Sequence, residues 1–422
     1  MSTVLDAIEV KKRGGALERA VIEEVVAGFT AGDVPDYQMA ALLMAIRLRG
    51  MQAEETLDLT RAMAESGPRY AFPDCVDKHS TGGVGDKVTL CALPLVAACG
   101  VPVAKLSGRG LGITGGTIDK LEAIPGFDVA LGEDAFRRQV DEIGFALAEA
   151  GELAPADKAI YALRDITGTV DSLPLIGSSI VSKKVATGAG HLLYDVKTGS
   201  GAFMGTVDEA RELARTLIEL SQALGITASA LITDMNTALG SAVGNALEIR
   251  ESVAFLRGEP VRADLAEVCR DVAIRLLELH GSVADPAAAV DRALADGSGY
   301  AKLEEVVAAQ GGDVAALADL PLAPVAGELT APQAGVVGRL DALGVARASL
   351  ALGAGRQKKG DEIDPGAGVE QLVRPGDEVK QGQPIARLYG SRGAEEALAH
   401  VRGALELTDA PVTPRPHVLE RL

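Results

Sequence analysis

The chain has 422 residues, more than the ~100–200 residues of a typical domain, so we expect several compact units. Apolar residues make up 47% of the sequence and charged residues 24%, a composition that excludes a disordered or fibrous chain. The net charge of −18 disfavours nucleic acid and acidic membranes as partners, so any anion site must be a local concentration of positive charge.

Residues 1–67 show helical periodicity in four short blocks, separated by glycine and proline breaks. From Cys75 the pattern changes to short apolar strands that alternate with helices, which is typical of βαβ units. The alternating elements are expected near Val76, at Lys87–Cys99, at Val101–Leu106, at Thr117–Ala123 and, as a strand, at Phe127–Leu131.

Residues 153–188 return to a helical pattern and form the predicted second part of the helical lobe. A strand at His191–Lys197, a helix at Val207–Leu224 and a strand at Ile226–Asp234 then resume the sheet, before helices that run to about residue 310. Beyond residue 324, proline, glycine and short valine-rich runs indicate a β-rich domain.

These elements predict an α/β fold with three parts. They are a discontinuous all-helical lobe (1–67 and 153–188), a larger α/β lobe with a mainly parallel mixed sheet (68–152 and 189–323) and a small C-terminal α+β domain (324–422). The sequence offers no membrane helix or secretory signal, so a cytoplasmic protein is expected. Four cysteines without a CxxC pair are predicted to be reduced core residues: Cys75, Cys91, Cys99 and Cys269.

A glycine-rich turn follows the first predicted strand, at residues 82–86. Where such a turn leads into a helix, backbone N–H groups and the positive helix end converge on one point and favour an anion. A cation and three hydroxyls, side chains suited to phosphate, stand around the turn: Lys78, Ser80, Thr81 and Thr89. Neither a P-loop nor a dinucleotide-binding glycine pattern is present, which disfavours nucleotide hydrolysis and NAD binding.

A second glycine-rich turn, at residues 107–117, follows the next strand and carries Ser107, Thr114 and Thr117. Because neighbouring parallel strands end at the same edge of a sheet, both turns can address one ligand. The pair of turns favours a phosphate site over tight packing alone.

Arg164 precedes a predicted helix at Asp171–Ala186, on which Ser179 and Lys183 are four residues apart and share a face. The neighbouring sequence is apolar and small, so polar groups there need partners. A ligand site is one interpretation of this face, and a solvated charged surface is the other.

Five segments closely resemble the thymidine and pyrimidine-nucleoside phosphorylase family, in order along nearly the whole chain. They are DKHSTGGVGDK, SGRGLGITGGTIDKLEAIPGF, YALRDITGTVDSLPLIGSSIVSKK, DVKTGSGAFM and DMNTALGSAVGNALEIRE. The resemblance implies a homodimeric, cytoplasmic pentosyltransferase that uses inorganic phosphate as co-substrate and no other cofactor. Phosphate would bind the α/β lobe and the base the helical lobe, and the lobes would close on the substrates.

By position, the resemblance implies phosphate ligands at Lys78, Ser80, Thr89, Ser107 and Thr117. It implies pyrimidine ligands at His79, Lys105, Arg164, Ser179 and Lys183, with His79, Arg164 and Lys183 catalytic. The implied reaction is the reversible phosphorolysis of uridine, thymidine and deoxyuridine, with inversion at the anomeric carbon, in nucleoside salvage and catabolism.

The sequence departs from the family pattern at Ile113, where many members have histidine, and at Lys87. Lys105 resembles the residue of the broader pyrimidine-nucleoside enzymes, whereas strict thymidine enzymes tend to have methionine there, so acceptance of both uridine and thymidine is expected. Some bacterial members bind a monovalent cation at the positions of Gly85, Lys87, Leu239, Ala242 and Glu251. We hypothesise that the Lys87 ammonium pairs with Glu251 and replaces that ion.

Alternative functions remain open. A strict thymidine phosphorylase is one, and a phosphoribosyltransferase of related fold, with Mg²⁺ on Asp86 and Glu122, is another. A carrier protein is a third, because residues 373–383 resemble the strands of biotinyl and lipoyl domains.

Overall fold

The computed structural model describes residues 3–110, 115–358, 360–413 and 415–422. The chain divides into two compact units. The helical unit comprises Met1–Cys75, Ala150–Leu192 and Glu212–Ala228, and the α/β unit comprises Val76–Glu149, Leu193–Arg211 and Ser229–Leu422.

The helices follow one another in chain order as α1 (Thr3–Lys12), α2 (Arg19–Ala31), α3 (Asp36–Arg49), α4 (Ala53–Ala64), α5 (Val88–Ala98), α6 (Thr117–Leu121), α7 (Glu133–Ile143), α8 (Pro155–Thr167), α9 (Leu173–Thr187), α10 (Val207–Ala223), α11 (Asn245–Leu256), α12 (Ala263–His280), α13 (Pro286–Ala295), α14 (Ser298–Ala309), α15 (Ala342–Leu352) and α16 (Ala394–Ala404). A 3₁₀ helix occupies Val314–Asp319.

The strands are β1 (Phe72–Ser80), β2 (Val103–Ser107), β3 (Phe145–Glu149), β4 (Ala189–Thr198), β5 (Thr227–Asp234), β6 (Ala242–Val243), β7 (Val325–Thr330), β8 (Gly335–Leu340), β9 (Gly368–Gln371), β10 (Glu378–Val379), β11 (Pro384–Tyr389), β12 (Leu405–Thr408) and β13 (Val418–Arg421).

The helical unit packs α1 to α4 with α8 and α9 around one apolar core. Each of α8 and α9 has a proline in its first turn, where the missing N–H costs nothing, and each ends at a glycine in the left-handed region, Gly168 and Gly188. A Cβ at Gly188 would lie 2.1 Å from the Tyr70 carbonyl oxygen, so glycine is required there. These ends fix the two helices that carry Arg164, Ser179 and Lys183.

The main sheet has the strand order β13-β5-β4-β1-β2-β3. Strands β1, β2 and β3 are parallel, with Val76 opposite Val103 and Val103 opposite Phe145, whereas β13 is antiparallel to β5. Because β1 and β2 are parallel neighbours, the two glycine-rich turns leave the sheet at the same edge. Helix α5, which follows the first turn, is buried along almost its whole length.

The C-terminal part contains a three-stranded sheet, β10-β8-β12, and a four-stranded sheet, β6-β9-β11-β7, with α15 packed on α16. It exchanges strands with the rest of the α/β unit. Strand β6 lies ahead of α11 in the chain and pairs with β9, and the terminal strand β13 pairs with β5 of the main sheet.

The predicted fold class is confirmed, with its discontinuous helical part, mixed sheet and small C-terminal part. The strand predicted at Phe127–Leu131 is wrong, because this segment makes only isolated backbone bonds, from Asp128 to Gln310 and from Glu149 to Val129. The third parallel strand is instead β3, which follows α7. The helical unit also includes residues 212–228, most of α10, which the predicted boundaries gave to the α/β lobe.

Within the described ranges, no helix has the length and apolar character needed to cross a bilayer. None of the four cysteines forms a disulfide; Cys75, Cys91 and Cys269 are buried, as predicted, and Cys99 is partly buried. Ile113 and Thr114 lie outside the described residues.

Candidate active site

The first glycine loop (residues 80–87) is held by close contacts at two of its glycines and by one hydrogen bond. Gly85 has a φ of +69°, and a Cβ there would lie 2.7 Å from the Leu239 carbonyl oxygen. A Cβ at Gly83 would lie 2.6 Å from Cε of Met235. The Thr81 hydroxyl accepts a bond of 2.9 Å from the backbone N–H of Lys197, which ties the loop to β4. The loop is therefore held in one shape before any ligand binds.

Lys78, at the end of β1, has only 1% of its side chain exposed. Its Nζ lies 3.2 Å from the Asp195 carboxylate and 3.7 Å from that of Asp86. Within the described part of the chain this ammonium makes no hydrogen bond of normal geometry. A buried ammonium in that condition has donors to offer to an anion.

Lys78 belongs to a larger buried charge network under the first loop, consisting of Lys78, Asp86, Lys120, Asp195, Lys197 and Glu248. Lys197 Nζ lies 2.7 Å from Asp195, and Lys120 Nζ lies 2.9 Å from Glu248. Burial alone would raise the pKa of Asp86, but Lys197, Lys78 and Lys120 outweigh it, so the pKa is lowered and the carboxylate stays charged.

Two further lysine contacts join the first loop to the second glycine loop (residues 107–117). Lys105, on β2, donates to the Lys78 carbonyl at 2.5 Å and pairs with Asp77 at 3.3 Å. Lys120, on α6, donates to the Asp86 carbonyl at 2.6 Å. The strands that lead into the two loops are thus bonded to each other, and α6, which follows the second loop, is bonded to the first loop.

The predicted phosphate ligands lie on these linked loops and on the helices that follow them. Ser80 ends β1 and Ser107 ends β2, while Thr89 and Thr117 lie in the first turns of α5 and α6. The Ser80 hydroxyl accepts a bond from the Gly82 N–H at 3.2 Å. The structure therefore places all four hydroxyls at one edge of the sheet, where the glycine loops also end.

Lys105 was predicted as a pyrimidine ligand. In the structure its ammonium is buried and bonded to the first loop and Asp77, within the α/β unit. Contact of Lys105 with the base stays a prediction.

The Lys87 ammonium is bonded to three oxygens in a fully buried position. It donates to the carbonyl oxygens of Leu239, at 2.8 Å, and Ala242, at 3.0 Å, and to Glu251 at 2.7 Å. Burial would lower the pKa of Lys87, but Glu251 and Glu248 outweigh it and raise that pKa. Burial would raise the pKa of Glu251, but Lys87 lowers it. Both partners are therefore charged, and the hypothesised ion pair is present.

His79 lies on β1 next to Lys78 and is partly buried. Its imidazole makes an edge-on contact with the ring of Tyr194, with centroids 6.2 Å apart. Since Tyr194 is fully buried, the contact restricts the rotation of the imidazole.

Arg164, on α8, is almost completely buried and bonded to the loop that joins α8 to α9. Its guanidinium donates to the carbonyl oxygens of Thr169, Val170 and Leu175, at distances of 3.2, 2.7 and 2.9 Å. These bonds use three of the five N–H donors of a guanidinium. Burial lowers the pKa of Arg164, although not enough to discharge an arginine.

Lys183, on α9, and Arg164, on α8, both lie near the same aromatic ring. Its ammonium donates to Asp157 at 2.6 Å and to the Ser179 hydroxyl at 3.1 Å. Both the Lys183 Nζ and the Arg164 guanidinium carbon lie 5.8 Å from the centroid of the Tyr161 ring. We call these five residues the α8–α9 cluster: Asp157, Tyr161, Arg164, Ser179 and Lys183.

The sequence analysis missed Asp157 and Tyr161. They precede Arg164 by seven and three residues on α8, so the three share one helix face. That periodic signal was available in the sequence. The remaining missed groups are Asp195, Lys197 and Glu248. They gave no comparable signal, because Asp195 and Glu248 pair with Lys78 and Lys120, which are distant in the chain and come close only in the fold.

Asp86 and Glu122, the ligands of the alternative magnesium site, both lie next to positively charged side chains. Asp86 lies among three lysines, and Glu122 receives a two-pronged contact from Arg109, at 2.6 and 2.8 Å. Within the described ranges, no group of three or more metal-ligating side chains is found.

Three family models match successive parts of the chain. One described as "Glycosyl transferase family, helical bundle domain" matches residues 5–67, and one described as "Glycosyl transferase family, a/b domain" matches residues 72–300. A third, "Pyrimidine nucleoside phosphorylase C-terminal domain", matches residues 336–408. Together they define the class of protein, a glycosyltransferase with an additional C-terminal domain.

Curated relatives narrow the class. The chain is 47% identical to thymidine phosphorylase of Mycobacterium tuberculosis (strain ATCC 25618 / H37Rv), over 98% of this chain and 97% of the relative. It is 45% identical to pyrimidine-nucleoside phosphorylase of Geobacillus stearothermophilus, over 92% of each chain, and 42% identical to that of Bacillus subtilis (strain 168), over 98% of each. The chain belongs to the thymidine and pyrimidine-nucleoside phosphorylase family and is an enzyme of the pentosyltransferase class.

Among solved structures, anthranilate phosphoribosyltransferase from Thermus thermophilus has a similar fold. The TM-score is 0.59 at 23% sequence identity, and the match covers 72% of this chain and 99% of that one. At this identity the likeness shows the fold alone, and carries no argument for a phosphoribosyltransferase reaction.

Proposed function

We propose that this enzyme catalyses the reversible phosphorolysis of pyrimidine nucleosides, giving the free base and a pentose 1-phosphate. The names of its full-length relatives support the nucleoside class. The structural observation that carries the proposal is the pair of glycine loops, joined by Lys105 and Lys120, above a buried lysine that has hydrogen bonds to offer.

In this proposal the first and second glycine loops bind inorganic phosphate. The hydroxyls of Ser80, Thr89, Ser107 and Thr117 and the ammonium of Lys78 are its ligands. A phosphate dianion would offer Lys78 the hydrogen bonds that Asp195 and Asp86 do not complete. The fixed loop shape supports this assignment, because a preorganised site does not have to be ordered during binding.

The α8–α9 cluster is proposed to bind the pyrimidine. A pyrimidine presents carbonyl oxygens and a ring N–H on a flat face. The remaining guanidinium donors of Arg164 and the half-exposed ammonium of Lys183 suit those oxygens, and the Ser179 hydroxyl can both donate and accept.

The proposed chemistry is a direct displacement at the anomeric carbon. A phosphate oxygen forms the new C–O bond while the bond to the base nitrogen breaks, and the bonding electrons leave with the base. His79, Arg164 and Lys183 act as donors that stabilise the departing anion, and the phosphate charge stabilises the electron-poor sugar. The displacement inverts the carbon and requires no covalent enzyme intermediate.

We also propose that Lys87 takes the place of a monovalent cation. Two carbonyl oxygens and a carboxylate are the ligands that suit such an ion, and here all three accept from one ammonium. The enzyme should therefore work equally well with and without potassium.

A homodimer is proposed on the family resemblance. Exposed apolar side chains on α1 and α3, which pack together, support a protein interface there: Leu5, Val10, Tyr37, Met44 and Leu48. Light scattering coupled to gel filtration tests the proposal, and a monomer at micromolar concentration would contradict it.

One assay tests the proposed reaction. Base release from uridine, thymidine and deoxyuridine is measured with and without inorganic phosphate, in a chelator that removes magnesium. We expect turnover that requires phosphate and proceeds without magnesium. Turnover of thymidine alone would favour the strict thymidine phosphorylase, and a requirement for magnesium and a diphosphate sugar would favour the phosphoribosyltransferase.

A further inference from the structure

The described ends of the second glycine loop lie close together and form a narrow neck. Gly110 and Gly116 approach so closely that a Cβ on Gly116 would lie 2.1 Å from the Gly110 nitrogen. Asp119, in α6, holds the neck, because its Oδ2 accepts the Gly110 N–H at 2.6 Å. The proposed phosphate ligands Ser107 and Thr117 lie on either side of this neck.

A positively charged side chain from the C-terminal part of the chain also bonds to this neck. The Arg356 guanidinium donates to Oδ1 of Asp119 at 2.8 Å and to the Gly110 carbonyl at 3.4 Å. Asp119 has 3% of its side chain exposed and Arg356 has 20%, so water screens the pair weakly. One carboxylate thus takes its two bonds from two distant parts of the chain.

The segment that presents Arg356 is itself anchored. Asn245, at the start of α11, donates to the Ala354 carbonyl at 3.1 Å. The N–H groups of Gln357 and Lys358 both donate to the Asp361 carboxylate, at 3.1 and 2.9 Å. A fixed segment on one side and a fixed helix on the other let the guanidinium act as a rigid link rather than a surface contact.

The loop also has a second guanidinium, whose shorter contacts are to other carboxylates. Arg109 contacts Glu122, directly after α6, at 2.6 Å and Glu149, at the end of β3, at 3.1 Å, and it lies 3.8 Å from Asp119. These two partners belong to the same part of the chain as the loop. Arg356 is therefore the guanidinium that ties the neck to the C-terminal part.

We propose that Arg356 is a positioning residue for phosphate, which acts through Asp119 to hold Ser107 and Thr117 in place. The inference gives the C-terminal part a role in catalysis without contact with the substrate. It rests on the proposed function, in which the second glycine loop binds phosphate.

The test compares Arg356→Gln with Arg387→Gln in the full-length enzyme. Arg387 is a matched control, since it is an arginine of the same C-terminal part whose partners, Glu328 and Glu370, lie in the C-terminal sheet. We expect Arg356→Gln to raise the KM for phosphate about tenfold, the typical cost of one hydrogen bond to a charged group, with the nucleoside KM nearly unchanged. Arg356→Lys should be intermediate, because an ammonium cannot reproduce the forked contact. Arg387→Gln should match the wild type.

A double-mutant cycle and hydrogen exchange separate positioning from general destabilisation. Combining Asp119→Asn with Arg356→Gln should cost no more than the larger single effect, because both changes break the same link. Amide exchange in the peptide that contains Gly110 should speed up in Arg356→Gln. Additive effects on the phosphate KM, or an unchanged KM with unchanged exchange, would overturn the inference.

Ser107→Ala distinguishes this inference from the proposed function. If Ser107→Ala raises the phosphate KM and Arg356→Gln does not, the positioning role fails and the phosphate loop stands. If Ser107→Ala leaves the phosphate KM unchanged, the assignment of the loop fails, and with it the role of Arg356 in phosphate binding.

Discussion

The buried charge network of the α/β unit and the α8–α9 cluster of the helical unit use lysine in opposite ways. Lys78 and Lys197 are almost fully buried and share the carboxylate of Asp195. In contrast, 37% of the Lys183 side chain is exposed to solvent, and Tyr161 is 38% exposed. One region is dry and neutralised by its own carboxylates, and the other leaves the Lys183 ammonium partly open to solvent.

The difference indicates what each region contributes. In the buried charge network, a binding anion must compete with Asp195 and Asp86 for Lys78. The desolvation free energy of these buried charges is already part of the free energy of folding. In the cluster, the cation is solvated until a ligand displaces water from it. We therefore expect changes in the network to affect both stability and phosphate binding, and changes in the cluster to affect mainly nucleoside binding and catalysis.

The largest effect is expected at His79, which adjoins the network but is proposed to act on the base. His79→Ala should lower kcat by about 10²–10³, because a donor to the leaving group typically contributes that much. The melting temperature should change little, since the imidazole is partly exposed. A kcat within a few-fold of the wild type would remove His79 from the chemistry.

The second prediction compares two lysines directly. Lys78→Gln should raise the KM for phosphate about 10–100-fold and lower the melting temperature, because it removes a buried donor to an anion and leaves carboxylates under-neutralised. Lys183→Gln should raise the KM for the nucleoside by a similar factor, with little change in melting temperature. Steady-state kinetics with each substrate varied, together with calorimetry, measure both. If the two variants lose equal stability, the contrast between the regions is wrong.

From the sequence we predicted more of the proposed ligand residues than of the residues that hold them in place. The glycines and hydroxyls of both loops were found because each lies next to a strand end, so a local pattern was enough. Arg164 was predicted as a pyrimidine ligand, but its bonds to the α8–α9 loop and to Leu175 in the first turn of α9 were not predicted, because they depend on how that loop folds back.

Asp195 and Arg356 show why the rest could not be predicted. Each is an ordinary charged residue in its own segment. Its importance arises from a distant partner, Lys78 at 117 positions from Asp195 and Asp119 at 237 positions from Arg356. The error at residues 127–131 has a local cause instead, since a short apolar run is equally compatible with a strand and with buried coil.

A smaller effect on activity and stability is expected from a substitution of Lys87. This substitution tests whether a bound potassium ion can replace the buried ammonium. Lys87→Thr should lower activity and melting temperature in salt without potassium, because Glu251 and two carbonyl oxygens lose their partner. Potassium chloride should restore both, since an ion that binds only the folded state stabilises it. Tetramethylammonium chloride at equal ionic strength is the control. Strong potassium activation of the wild type would show that Lys87 does not replace the ion.

The smallest effect concerns the pH dependence of the same pair. The pKa of Glu251 is lowered in the folded state, so its contribution to stability is present above the ordinary glutamate pKa of about 4.3 and is lost as the pH falls towards the folded value. The pKa of Lys87 is raised, so its contribution is lost only above about pH 10.4.

Glu251→Gln should therefore be less stable than the wild type by a constant free-energy margin at pH 6–8, as measured by urea unfolding. That margin should narrow below about pH 4.3, where the wild-type carboxylate begins to lose its advantage over the amide. Asp58→Asn serves as the control, because Asp58 pairs with Arg61 near the surface of the helical unit, and its margin should be small at every pH. A margin for Glu251→Gln that stays constant down to pH 3 would show that charge does not hold the pair of Lys87 and Glu251. The pair would then stabilise the fold through its hydrogen bonds alone.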